Sequence, residues 1–149
     1  MKKILLISDT HGYIDNVIVS HAEKADEIWH AGDIGSLALL ERLESIKPVR
    51  AVWGNIDGQD LRIRIPKIAQ FECEGMKIMM THIGGYPGKY EPSVVSQIVD
   101  YKPNIFISGH SHILKVPSLY SEVSPLAGPL QPKALWKRPP YYHQSYKNS

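Results

Sequence analysis

Five short apolar runs in this chain each stop, within a few residues, on a side chain able to bind a metal. Residues 3–7 lead to Asp9-Thr10-His11, and residues 27–29 lead to Gly32-Asp33. Residues 49–53 give way to Gly54-Asn55, and residues 76–80 to Thr81-His82. Residues 104–107 run into Gly109-His110-Ser111-His112. Apolar runs this short, with β-branched members, read as buried strands. Open α/β sheets bind ligands in the crevice beyond the carboxyl ends of their strands. The pattern therefore predicts that Asp9, His11, Asp33, Asn55, His82, His110 and His112 gather at one sheet edge.

The segments between the runs supply helices. Residues 14–24 have helical spacing through Ile14, Val17, Ile18, His21 and Ala22, with Asp15 in the first turn. Residues 36–46 repeat Leu37, Leu40, Leu43 and Ile46 behind a capping Ser36, and Pro48 stops them. The order βαβαβ implies a parallel sheet with helical crossovers. Residues 68–74 and 76–81 flank Glu74-Gly75, a hairpin signal. Gly84-Gly85-Tyr86-Pro87-Gly88 reads as a loop, Pro92 opens a helix over 93–101, and 104–108 form the fifth strand. Residues 118–123 read as a short strand, and no regular structure is expected after Ser124. Trp136, Tyr141 and Tyr142 are the residues able to pin that end to a surface.

At 149 residues the chain reads as one domain over 1–116, with a proline-rich, atypical C-terminal segment over 117–149. Residues 1–116 carry 13 Lys/Arg against 14 Asp/Glu, whereas residues 117–149 carry four against one and hold 6 of the 11 prolines. The part bearing the candidate site is thus near neutral, which argues against a nucleic-acid patch. No apolar stretch is long enough to cross a membrane, and the N-terminal run is too short for a secretory leader. The single cysteine, Cys73, excludes an internal disulfide, suits a cytoplasmic location and reads as a small buried hydrophobe. Homo-oligomer formation stays open.

Four imidazoles, two carboxylates and one amide oxygen, with no thiolate, suit Mn, Fe, Co, Ni or Zn better than Mg or Ca. Seven ligands are too many for one ion and fit two ions that share a bridging carboxylate. Two-metal sites of this kind drive in-line displacement at phosphorus. Several neighbours read more simply. His30 reads as a packed residue, and His21 and His143 as ordinary surface or packing residues. Asp57 reads as a turn former or a hydrogen-bonding residue near the site. Arg62 and Arg64 alternate on a strand-like stretch and read as a solvated face.

Asp-x-His, Gly-Asp, Gly-Asn, His and Gly-His-x-His in this order resemble the calcineurin-like metallophosphoesterases. Gly54-Asn55-Ile56-Asp57 and the small size resemble its compact bacterial and archaeal phosphodiesterase branch. The resemblance covers about residues 1–116. It implies a two-sheet β-sandwich of mixed sheets flanked by helices. It also implies a metal-dependent phosphodiesterase whose nucleophile is a hydroxide bridging two metal ions, with Mn²⁺ favoured over Ni²⁺, Zn²⁺, Fe²⁺ or Co²⁺. Asp9, His11 and His112 would hold the first ion, and Asn55, His82 and His110 the second. Asp33 would bridge both, and Asp33, Asn55 and His82 are the candidate catalytic residues.

Two departures from the resembled pattern have consequences. Many superfamily members carry a histidine after the Asn that is thought to assist the leaving group; here that position is Ile56. Without a positioned acid a factor of roughly 10²–10⁴ is missing, so esters with good leaving groups, such as aryl phosphodiesters, are the expected substrates. The family's Asn-Pro-Gly turn near its end is also absent, leaving the edge of the second sheet open to association. The alternatives are a phosphomonoesterase and a non-catalytic interaction scaffold of the same fold, as in the retromer subunit. Retention of all seven candidate ligands argues against the scaffold.

Overall fold

The computed structural model describes residues 2–86, 89–109 and 133–134, with backbone alone for 85, 86, 89, 133 and 134. Its first half is β1 (Lys3–Ile7), α1 (Asn16–Lys24), β2 (Glu27–His30), α2 (Leu37–Ile46), β3 (Val49–Ala51) and α3 (Gln59–Arg64). Its second is β4 (Ile68–Cys73), β5 (Met76–Thr81), β6 (Gly85–Tyr86), β7 (Lys89–Tyr90), α4 (Pro92–Tyr101), β8 (Ile105–Ser108) and β9 (Lys133–Ala134).

Two sheets face each other between helices. One has the order β3-β2-β1-β9 and is parallel throughout. The other has the order β4-β5-β8, antiparallel at the β4–β5 hairpin and parallel between β5 and β8. The fold is thus the expected two-sheet α/β sandwich, although only the second sheet is mixed. Alternation along each strand assigns the layers. Leu5, Ile7 and Ile28 join Ile18, Leu40, Leu43 and Leu61 on the helical side of the first sheet. Ile4, Leu6 and Trp29 point the other way, meeting Ile78, Met80 and Ile107 between the sheets. Met79 and Phe106 turn outward under α4, against Val94. Phe106 is fully buried, so truncating it to alanine costs about 3–5 kcal/mol.

Local chemistry explains the helix ends. Asp15 is the N-cap of α1 rather than part of its first turn, accepting from the Ile18 N–H at 2.8 Å. Ser36 caps α2 as expected, accepting from the Leu39 N–H. The hairpin turn places Glu74 and Gly75 at positive φ, the conformation a two-residue turn with the right twist requires. Pro92 stands at the start of α4, and Lys102 ends it in the left-handed region.

Three expectations are corrected. The stretch holding Arg62 and Arg64 is helical, not strand-like. A strand would align Leu61, Ile63 and Ile65 on one face. The helix instead brings Leu61 and Ile65, four apart, to the core and leaves Ile63 75% exposed. The Gly84–Gly88 loop is in part a small antiparallel ladder, pairing Gly85 with Tyr90 and Tyr86 with Lys89. Beyond Ser124, Lys133–Ala134 pairs in parallel with β1 and extends the first sheet by one strand. His110, His112, His143 and the strand expected at 118–123 lie outside the described residues, as do Trp136, Tyr141 and Tyr142. Among the described residues no helix is long and apolar enough to cross a membrane.

Candidate metal centre

Five of the seven sequence-predicted site residues lie among the described residues: Asp9, His11, Asp33, Asn55 and His82. The loops after β1 and β2 run side by side. The Asp9 N–H donates to the Gly32 carbonyl at 2.9 Å, and the His11 N–H to the Asp33 carbonyl at 3.1 Å. The Gly12 N–H donates to the Ile34 carbonyl at 2.6 Å. These bonds hold the backbone in an uncommon conformation: Asp9, His11 and Asp33 sit at φ 56°, 49° and 56°. Among the described residues the other two non-glycine residues at positive φ, Glu74 and Lys102, serve a turn and a helix end. Left-handed backbone costs a non-glycine residue about 1–3 kcal/mol and persists where surrounding structure enforces it. Here it is concentrated on three candidate ligands.

His82 lies at the centre and is buried. Its Nδ1 meets the Ala31 carbonyl at 2.8 Å. A carbonyl only accepts, so Nδ1 carries the proton and Nε2 offers a lone pair. That lone pair faces three oxygens: Asp33 Oδ2 at 3.1 Å, Asn55 Oδ1 at 3.1 Å and Asp9 Oδ1 at 3.8 Å. His11 Nε2 approaches Asp33 Oδ2 at 3.8 Å. Donor atoms of Asp9, Asp33 and His82 all lie within 4.8 Å of one another, and all three residues are buried. Lone pairs gathered this closely in a buried place repel, and positive charge among them removes the penalty. A bound cation would supply it. The residues present therefore fit a divalent metal.

Both oxygens of Asp33 are engaged, since Oδ1 accepts from the Ile56 N–H at 3.1 Å while Oδ2 faces the imidazoles. Ser8 Oγ donates to Asp9 Oδ2. Close packing leaves little room here. A Cβ on Gly32, itself at φ +98°, would lie 2.6 Å from His82 Cβ, and one on Gly109 would lie 2.6 Å from the Ala31 carbonyl oxygen. These glycines let backbone approach the imidazole closely.

A second layer holds the loops. Asp57 is buried and accepts from three backbone N–H groups: Gly54 at 2.8 Å, Gly35 at 2.9 Å and Ile34 at 3.2 Å. It ties the loop after β3 to the loop after β2, and it is no part of the ligand cluster. His30 is packed, as expected. Its Nδ1 accepts from the Gly32 N–H at 3.1 Å, so Nε2 carries the proton and donates to Thr10 Oγ1 at 2.9 Å. Thr10 in turn donates to the Ile34 carbonyl. Complete burial pushes the His30 pKa down to about 3, with only a partial opposing pull from Asp57. Thr10 and Ser8 were not anticipated, although their positions beside Asp9 were the available signal.

Arg62 and Arg64 are occupied elsewhere. Arg62 stacks 4.2 Å over Trp53 and donates to the Asp57 carbonyl, while Arg64 pairs with Glu41 and Glu44.

A family model described as the calcineurin-like phosphoesterase superfamily domain matches residues 1–124. A probable metallophosphoesterase of Methanothermobacter thermautotrophicus is 30% identical over 112 residues, covering 72% of this chain and 64% of its own length. The chain thus spans somewhat less than two thirds of that relative. A solved archaeal phosphodiesterase is similar at 25% identity with a TM-score of 0.53, covering 74% of this chain and 73% of its own. Vps29 of Entamoeba histolytica, solved with zinc, shares the fold at 17% identity and a TM-score of 0.59, covering 75% of this chain and 66% of its own.

Proposed function

Because this chain belongs to the calcineurin-like phosphoesterase superfamily, we propose that it is a metal-dependent phosphodiesterase with a two-ion centre beyond the carboxyl ends of its strands. The observation that carries this reading is the convergence of Asp33, Asn55 and Asp9 on the His82 Nε2 lone pair. Imidazole with hard oxygen and no thiolate suits Mn²⁺, Fe²⁺, Co²⁺, Ni²⁺ or Zn²⁺, and among these Mn²⁺ is the ion that the family resemblance favours.

Asp9, His11 and His112 would hold one ion, and Asn55, His82 and His110 the other, with Asp33 shared. When bound, the ions would supply a water activated near neutral pH and would neutralise charge on the phosphoryl oxygens. The remaining work belongs to the chain. The Ala31 carbonyl holds His82 in one tautomer and orientation. The Ile56 N–H fixes one Asp33 oxygen, leaving the other for the centre. Asn55 is exposed, so its carboxamide N–H can reach a phosphoryl oxygen while Oδ1 faces His82. Ile56 has no proton to give a leaving group, which favours esters whose alcohol leaves as a stable anion and slows simple alkyl esters.

The test compares bis(4-nitrophenyl) phosphate with 4-nitrophenyl phosphate, using Mn²⁺, Ni²⁺, Zn²⁺ and Mg²⁺ in parallel. Diester turnover in Mn²⁺ that exceeds monoester turnover is the expected result. No turnover with any ion, or a preference for the monoester, would overturn the reading.

A further inference from the structure

The ligand-bearing loops have an unusual lining. Ile56 directly follows Asn55 and is 45% exposed; Ile83 directly follows His82 and is 39% exposed. Tyr13 stands two residues after His11 and is 53% exposed. Neighbouring Cα atoms are about 3.8 Å apart, so Ile56 and Ile83 each stand one residue along the chain from a candidate ligand. Asn55 Oδ1 and His82 Nε2, on the residues just before them, are 3.1 Å apart.

The same segments are devoid of cationic side chains. Residues 8–23, 31–36, 52–58 and 82–86 contain no lysine or arginine. The arginine next along the chain from Asn55, Arg62, is held over Trp53 and on the Asp57 carbonyl. A site that recognises nucleoside di- or triphosphates, or other polyanions, places Lys or Arg where the additional charges lie. Among the described residues of these segments no cation is available to a second phosphate, and exposed apolar side chains stand beside the candidate ligands.

We propose that Ile56, Ile83 and Tyr13 form a specificity rim that selects phosphodiesters whose substituents are apolar and uncharged. This rests on the phosphodiesterase reading above and adds to it a substrate class. Exposed isoleucines beside a catalytic centre lose water when an aryl or alkyl group covers them, and that transfer favours apolar esters. The selection concerns binding, and is separate from the leaving-group argument at position 56, which concerns proton donation.

The experiment measures binding to the Mn²⁺-loaded full chain by calorimetry. The probes are diphenyl phosphate, dimethyl phosphate and bis(4-carboxyphenyl) phosphate. The first two carry the same charge and the same metal-binding oxygens, so their ratio reports the rim. Diphenyl phosphate is expected to bind at least tenfold more tightly than dimethyl phosphate, the gain from removing about 55 Å² of apolar surface from water. It is expected to bind more tightly than the dicarboxylate too. Ile56→Ser with Ile83→Ser should bring the diphenyl-to-dimethyl ratio close to unity, whereas Ile63→Ser, on α3, should leave it unchanged. A wild-type ratio below threefold, or a rim variant that keeps the wild-type ratio, overturns the rim while the enzyme reading stands. Failure of every phosphate to bind overturns the enzyme reading and the rim with it.

Discussion

His30 Nε2 donates to Thr10 Oγ1 at 2.9 Å, linking a fully buried imidazole to the residue between Asp9 and His11. A second bond requires a neutral ring, because His30 Nδ1 accepts from the Gly32 N–H at 3.1 Å. Protonating His30 removes that acceptor and places a charge in the core.

This gives a pH dependence. The folded pKa is lowered to about 3 from an ordinary 6.5, so below pH 6.5 the unfolded chain binds a proton that the folded chain refuses. The neutral ring's contribution is full above pH 6.5 and falls away between there and pH 3. By pH 5 the loss is about 2 kcal/mol. Urea unfolding at pH 7, 6 and 5 should show it, and His30→Gln should flatten the curve. An equally steep curve in the variant would contradict this account.

Asp57 is expected to be a strong point of stability. Removing its carboxylate leaves the Gly54, Gly35 and Ile34 N–H groups without their charged acceptor. Hydrogen bonds to charged groups contribute about 1.5–3 kcal/mol each, though not additively. Asp57→Ala should lower the stability by at least about 3 kcal/mol, and Asp57→Asn, which keeps one acceptor oxygen, by less. Thermal unfolding followed by circular dichroism tests this, and a change under 1 kcal/mol would refute the clamp.

Asp33→Asn should abolish turnover with the fold intact. The amide keeps the shape and an oxygen for the Ile56 N–H, but loses the negative charge beside His82 and His11. Circular dichroism should match the wild type while activity falls below detection. Unchanged activity would count against a shared carboxylate.

A leaving-group series should show a steep dependence. With isoleucine after Asn55, no side chain at that position protonates the departing oxygen. Rates of aryl phosphodiesters should fall as the phenol pKa rises, and Ile56→His should shallow the slope. A flat series in the wild type would show that an acid acts from elsewhere.

The legible parts of this molecule were those written in local pattern. Asp9, Asp33 and His82 each follow a buried apolar run, and strand ends in such a sheet share one edge, so their meeting was foreseeable. Ser36 and Pro92 mark helix starts by their own chemistry. The second layer was less visible. That Asp57 would add the Ile34 and Gly35 amides to that of nearby Gly54 depends on contacts over more than 20 positions, which no spacing rule records. The helix α3 was misread because Leu61, Ile63 and Ile65 alternate with Arg62 and Arg64 as a strand would, and six residues are too few for a 3.6 period to show against that. The pairing of Lys133–Ala134 with β1 was hidden by surrounding prolines.

Metal stoichiometry tests the central claim most directly. The full chain, stripped with chelator and titrated with Mn²⁺, should bind two ions, and Asp33→Asn should lose at least one. A chain that binds no divalent ion in the micromolar range, or whose binding is indifferent to Asp33 and His82, would contradict the account.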